Sequence, residues 1–454
     1  MADNTYYYTQ ALCNSCRLRA TARAIARDGV VMLEKFCPEH GLTYDLLSSD
    51  VAWFEESLSY VKPRQEPKKL SINEYKGCPE SCGFCPEHQQ HVCLPVIEIT
   101  SSCDLACPIC LKGFTEDFDL TSREFEFILD NLIMSEENID VVNISGGEPT
   151  LHPDFPGFLR LCSEKKVNQV TVSTNGLSLL KDKALRDLFK ELGIIAAIQF
   201  DGFTAETYIE LRGSDLNGQK LELINILETE GINYSLVATI AKGVNEHEIP
   251  ALVDFLFAGK ALSLMFQPLC LTGAASENFD LSRRITIPDV INRLSQSPYV
   301  KKDDFKPLPC SHYSCFALSY YLDAGDGKFY SLVDFLGKDK FLDVISNKTL
   351  PGLDYEGLEV MKERMFELWS AADSNNLSEN VLNRIRRTLR ELSSCGFERR
   401  KSLELGMQNM KAIFIHHFMD AYNFEFGRVI KCCNPYPQKD GKMIPICAMN
   451  ALIS

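Results

Sequence analysis

The chain holds eighteen cysteines, and their spacing divides them into groups that could bind metal. Cys103, Cys107 and Cys110 put three thiols on one short segment. Thiolates select zinc or iron–sulfur clusters. Three of them on a four-iron cluster leave one iron open for catalysis, by the logic that separates catalytic from structural zinc. Cys13, Cys16 and Cys37, with His40 as fourth ligand, have the spacing of a zinc-ribbon or rubredoxin-like knuckle for one mononuclear Fe or Zn. Cys78, Cys82, Cys85 and Cys93 supply a complete set of four, suited to a closed electron-transfer cluster, with zinc as the alternative. Cys310, Cys315 and Cys447, with Cys432 or Cys433, offer a further set from remote segments, Cys433 being slightly preferred. Cys162, Cys270 and Cys395 read as small core residues.

The elements that must position these groups follow from periodicity. Short β-rich runs at 94–100, 139–144, 169–174, 194–200, 232–240 and 263–267 alternate with helical stretches such as Phe125, Ile128, Leu129 and Leu132. Six βα units with apolar strands imply an α/β fold, a parallel sheet curved into a partial barrel or doubly wound. Its ligand site is expected at the carboxyl ends of the strands, where the loop of Cys103 to Cys110 falls. Beyond about Asp280 helices dominate, with hairpins at Asp326-Gly327 and Asp440-Gly441. Phe414, Phe418, Tyr422, Phe424 and Phe426 either line an apolar tunnel or form helix core, and core is the reading taken. The expected domains are 1–62, a metal knuckle; 70–93, an auxiliary-cluster segment; 94–275, the barrel; and 276–454, a mostly helical auxiliary-cluster and substrate domain.

Composition narrows the function classes. A net charge of −15 disfavours nucleic acid as a partner, because phosphate neutralisation needs a basic face. No run of 18 apolar residues is present. Met1 to Tyr7 shows no basic region leading into an apolar stretch, so a cytoplasmic setting is expected, where clustered cysteines bind metal rather than pair.

Taken in order along the strand ends, the motifs resemble those of the radical S-adenosylmethionine (SAM) superfamily. The C-x3-C-x2-C loop follows the first strand, and Gly146-Gly147-Glu148-Pro149 follows the second. Ser173-Thr174-Asn175-Gly176 ends the third strand, Gln199-Phe200-Asp201-Gly202 the fourth, and Arg212-Gly213 comes next. The resemblance implies a partial (β/α)6 barrel and a 4Fe-4S cluster on Cys103, Cys107 and Cys110 that binds SAM. It further implies that Gly146, Gly147, Glu148 and Pro149 hold the SAM amino group, that Ser173, Asn175, Gln199 and Asp201 sit along the cofactor, and that Arg212 meets the carboxylate. A 5′-deoxyadenosyl radical then abstracts hydrogen from an unactivated carbon. The N-terminal and C-terminal cysteine blocks narrow the resemblance to a subfamily that includes the archaeal tetraether lipid synthase and pterin-directed radical methylases. That implies two auxiliary 4Fe-4S clusters and an electron donor such as flavodoxin or ferredoxin. Formation of a carbon–carbon bond on a lipid alkyl chain, with peripheral membrane contact, is the favoured expectation. Methylation or alkylation of a small molecule such as a pterin is the alternative, and a non-catalytic electron carrier or a peptide-modifying enzyme stands behind it.

Overall fold

Alternating small and polar residues build the first unit. In the computed structural model, which describes residues 4–60, 64–72, 82–112, 117–136, 139–325, 327–347 and 409–453 with short stretches at 359–360, 363–364, 387, 390–391 and 405–407, the chain opens with four antiparallel strands. These are β1 (Asn4–Leu12), β2 (Arg19–Arg27), β3 (Val30–Cys37) and β4 (Gly41–Ser48), paired in that order. Asp28 and Gly29 turn β2 into β3 with φ of 51° and 82°, the left-handed pair a two-residue hairpin requires. One face buries Ala22, Ala24, Val31 and Leu33 against Phe54 of the helix Val51–Ser59.

The expected barrel strands follow as β5 (Val96–Glu98), β6 (Val141–Ser145), β7 (Gln169–Thr174), β8 (Ile195–Gln199), β9 (Tyr234–Ile240) and β10 (Ser263–Pro268). Each pairs in parallel with the next. Side chains point alternately to opposite faces of a strand. Val142, Ile144, Val170, Val172, Ala196 and Ile198 therefore face outward, fully or nearly buried beneath the helices. Phe125, Ile128, Leu129 and Leu132 of the helix Ser122–Glu136 pack on them, as do Phe155, Phe158, Leu159 and Cys162 of Phe155–Glu164. The inner face carries Asn143, Thr171, Ser173, Gln199, Thr239 and Gln267 among apolar residues, so the barrel encloses a polar-studded interior.

Residues beyond 276 also enter this sheet. The chain continues through β11 (Lys306–Pro307), β12 (Phe316–Gly325), β13 (Lys328–Ser331), β14 (Met410–His416), β15 (Pro435–Pro437) and β16 (Met443–Pro445). Strand β14 lies parallel to β10, and β12 lies antiparallel to β14, so the wall extends past the sixth strand. Phe414 therefore belongs to a strand rather than a helix, and it faces the interior while Ile413 and Ile415 are fully buried on the other side. Both expected hairpins form, β12 with β13 and β15 with β16. Cys78 and Cys395 lie outside the described residues. Among those described, no helix is long and apolar enough to cross a membrane.

One buried amide ties the barrel's strand ends together. Asn245, fully buried, donates from Nδ2 to the Asp201 and Thr239 carbonyls at 2.9 and 2.8 Å, and its Oδ1 accepts from Ala241 N at 3.0 Å. Asn245→Ala leaves three buried backbone groups unpaired. The expected cost is about 2–3 kcal/mol, read as a clear fall in Tm of the full chain, and an unchanged Tm refutes this account of the strand ends.

Candidate active site and metal centres

The three-cysteine loop is held from below by the segment that ends β6. Gly147 N donates to Thr100 O at 2.8 Å, and Glu148 N donates to Ser102 O at 2.7 Å, immediately before Cys103. A Cβ on Gly146 would collide with the Thr100 carbonyl, and one on Gly147 with the carbonyls of Ser101 and Ser102; Gly146 also has φ of 142°. The two glycines thus let one loop lie flat against the stem of the other. Cys103 is exposed and Cys107 and Cys110 are half-buried at the rim.

Glu148 is nearly inaccessible, and its carboxylate is already occupied. Oε1 accepts from Thr150 N at 3.2 Å, Thr150 Oγ1 at 2.6 Å and Thr174 Oγ1 at 2.7 Å, while Oε2 accepts from Asn175 N at 2.7 Å. Burial raises its pKa, and these bonds pull it back. Pro149 is buried at the start of the turn Pro149–Leu151 that Glu148 caps. Asn175 in turn donates to Asp104 at 2.6 Å, joining the third strand's loop to the cysteine loop.

A second carboxylate orders the opposite rim. Asp201, fully buried, takes both Nε and Nη2 of Arg212 at 2.7 and 2.8 Å, together with Thr239 N at 2.9 Å and the Gln199 amide. Arg212 also reaches Thr239 Oγ1 at 3.2 Å. Burial opposes its charge, but Asp201 outweighs burial and raises its pKa. Burial raises the Cys107 thiol, and the neighbouring Arg212 lowers it in part. Lys220, buried and pushed to about 8 by burial and then by Arg212, donates to Gln199 Oε1 at 2.8 Å and to the Asn175 carbonyl. Sequence reasoning missed Lys220 and Asp104. Nothing in the spacing around Lys220 marks it, whereas Asp104 stands beside a proposed ligand and was within reach.

These residues border a cavity of about 870 Å³ inside the barrel. Cys103, Cys107, Cys110, Gly146, Gly147, Glu148, Ser173, Asn175, Gln199 and Arg212 all line it, whereas Asp201 and Pro149 lie behind them. The donor set fits the expected group: three thiols on one loop at the mouth, a basic side chain beside Cys107, and room next to them. Residues 97–256 match the family described as the radical SAM superfamily.

These residues form a radical SAM domain.

Residues 5–49 match a second family, the HMPTM N-terminal zinc ribbon domain. The 7,8-dihydro-6-hydroxymethylpterin dimethyltransferase of Methanocaldococcus jannaschii is 28% identical, over 98% of this chain and 93% of its own length. The Fe-coproporphyrin III synthase of Methanosarcina barkeri is 32% identical over 41% of this chain and 48% of its own. Streptococcus suis SuiB bound to S-adenosylmethionine gives a TM-score of 0.39 at 23% identity, covering 45% of this chain and 46% of that one.

Ahead of the radical SAM barrel, the zinc ribbon brings its four donors together. The ligand atoms of Cys13, Cys16, Cys37 and His40 all lie within 4.8 Å of one another. The Cys16 and Cys37 sulfurs are 3.9 Å apart, and Cys37 Sγ is 3.6 Å from His40 Nδ1. A tetrahedron with zinc–sulfur bonds of about 2.3 Å and zinc–nitrogen bonds of about 2.0–2.1 Å has edges of about 3.8 and 3.6 Å, so the set fits zinc.

The remaining thiols regroup across the spacings. Cys93 does not stand with Cys82 and Cys85 alone; its thiol meets those of Cys310 and Cys433, and its N–H donates to Cys433 O at 2.8 Å. Those thiol contacts, then burial, raise the pKa of Cys93, while the Cys93 contact draws Cys310 down to about 7. Burial and then the charges of Cys447, Cys433 and Cys315 raise the pKa of Cys432, and Arg428 Nη2 donates to Cys315 Sγ at 3.5 Å. Cys82 packs in the same apolar cluster as Cys447, and His88, hydrogen-bonded through its N–H to Cys85 O, reaches Cys432 O at 2.9 Å. The Cys433 thiol meets Cys93, whereas Cys432 feels the charges of Cys447, Cys433 and Cys315. Cys162 and Cys270 are buried as expected of core residues.

Cys37→Ala is expected to lose about one equivalent of bound zinc, measured by elemental analysis of the purified full chain. Retention of that zinc would show that the metal sits elsewhere.

Proposed function

We propose that this radical SAM enzyme methylates a reduced pterin of the 6-hydroxymethyl type. The observation that carries the reading is the end-to-end likeness to the pterin dimethyltransferase, which includes the zinc ribbon as well as the barrel. The cavity supports it. A volume of about 870 Å³ suits small molecules, and its mostly apolar wall carries Asn143, Thr171, Gln199 and Gln267, polar groups that a heterocycle can meet. The lipid substrate favoured on sequence grounds thus gives way to the alternative.

When bound, the cluster on Cys103, Cys107 and Cys110 together with SAM supplies a 5′-deoxyadenosyl radical able to take hydrogen from an unactivated carbon. The chain's own contribution is placement. Glu148 and the two glycines fix the cysteine loop to the second and third strand ends. Asp201 holds Arg212 at the cavity wall beside Cys107, where a guanidinium suits a carboxylate. Behind them, Lys220 and Asn245 tie the strand ends together by hydrogen bonds. Two further four-iron clusters, one on the Cys93, Cys310 and Cys433 side and one on the Cys315, Cys432 and Cys447 side, would carry electrons from a flavodoxin or ferredoxin.

Anaerobically reconstituted protein with SAM, reductant and 7,8-dihydro-6-hydroxymethylpterin is expected to release 5′-deoxyadenosine and a methylated pterin by mass spectrometry, and Cys107→Ala to release neither. Product from membrane lipid, with none from the pterin, would sink the reading. A protein that forms no 5′-deoxyadenosine under any condition would leave only the electron carrier.

A further inference from the structure

The cavity has a second half, away from the cofactor motifs, that no motif accounts for. There His416, at the carboxyl end of β14, lines the cavity while being only 8% exposed. Its ring is stacked on Phe316, with centroids 3.9 Å apart and planes at 22°, and lies 4.0 Å from Phe418 at 43°. Among the described residues no hydrogen bond reaches either ring nitrogen. Burial keeps the imidazole neutral, so it offers one donor and one acceptor. The parallel register that pairs Phe266 with Ile415 sets Gln267 beside it. Among the described residues, the one hydrogen bond of the Gln267 side chain is a 3.6 Å contact from its amide to the Met265 sulfur, a weak acceptor.

Buried polar groups left without partners are costly and are rare in a wall that has no ligand to meet. Here a buried imidazole and a half-buried amide, neither with a nitrogen or oxygen partner among the described residues, stand side by side at the cavity surface, the imidazole flanked by aromatic faces. We propose that His416 and Gln267 form the subsite that recognises the substrate as a flat nitrogen heterocycle; this deepens the pterin reading and rests on it. Phe316 and Phe418 hold the imidazole upright by stacking. The imidazole and the amide together present alternating donors and acceptors, which match the ring N–H, amino and carbonyl groups along a pterin edge. An alkyl chain has none of these groups and would leave both side chains unpaired. The two residues act as positioning groups, setting which carbon of the heterocycle faces the cofactor half of the cavity.

The test separates recognition from packing by using two variants with opposite virtues. His416→Phe keeps an aromatic ring in an aromatic wall and removes both polar atoms, whereas His416→Gln restores a donor and an acceptor and sacrifices the stack. With reconstituted full-length protein and 7,8-dihydro-6-hydroxymethylpterin as varied substrate, His416→Phe is expected to raise KM by about tenfold or more, and His416→Gln to recover most of that loss. A residue that only fills the wall gives the reverse order, with Phe tolerated and Gln harmful; that order, or an unchanged KM in both, overturns the proposal. A variant that turns over too slowly is read by equilibrium binding of the same pterin to the reconstituted protein, and the same order is required. Wild-type protein that binds the pterin no better than His416→Phe overturns the subsite alone, and wild-type protein that neither binds nor methylates it fails the pterin reading and takes the subsite with it.

Discussion

The site depends on one buried carboxylate. Glu148 has no solvent to share its charge with, and it is retained there because four donors from two successive strand ends converge on it. A carboxylate stripped of water is costly unless hydrogen bonds replace its hydration. Once they do, the arrangement is rigid, since moving either loop would strand the charge. The same segment carries the two glycines whose backbone lies against Thr100 to Ser102, so the rigidity passes to the stem of the cysteine loop. Asp201 repeats the device on the other side of the cavity with Arg212, Thr239 and Gln199. The rim is thus pinned at two points by buried acids whose energetic cost is offset by the loops they organise.

A comparable economy joins the zinc ribbon to the rest of the chain. Lys35 on β3 is almost fully buried and pairs with Asp45 at 2.8 Å, while its ammonium also donates to the Tyr422 carbonyl at 2.8 Å. Burial lowers its pKa and the Asp45 pair opposes that. Nearby, Arg284 pairs with Asp420 at 2.6 Å in a buried setting. Buried ion pairs of this kind are weak sources of net stability but penalise any arrangement that separates the partners. The link between the ribbon and the C-terminal segment is the Lys35 bond to the Tyr422 carbonyl, which the buried Lys35–Asp45 pair holds in place.

Much of this was legible because it is local. The barrel strands stand out as apolar runs between helices, and the cysteine loop and the Gly146 to Pro149 turn lie one residue block past their strands. Two things were not local. The run from Lys411 to His416 was read as part of a helical region, although Ile413 and Ile415 alternate with Phe414 and His416 at a strand's period of two. A lone strand is defined by its neighbours, and those neighbours, β10 and β12, lie more than eighty residues away. The cysteine contacts are non-local in the same manner. Spacing groups ligands that share a loop, which puts Cys93 with Cys78, Cys82 and Cys85, whereas the fold also brings its thiol to Cys310 and Cys433. For Lys220 there was no signal at all, because a lysine on a helix is ordinarily solvated and only the packing of that helix buries it.

The position of β14 in the sheet has a consequence for the order in which the enzyme is built. Strands β5 to β10 are contiguous in the chain and can pair as they emerge, each βα unit docking on the one before. The next parallel strand arrives only after residue 410, so its pairing with β10 closes a loop of more than 140 residues and carries the entropic cost of high contact order. Until it docks, β10 is an open sheet edge and one wall of the cavity is missing. The wall that folds last is the one that bears Phe414 and His416. Chain order thus frames the cofactor half of the cavity from contiguous segments, whereas its other half waits on a strand encoded far downstream.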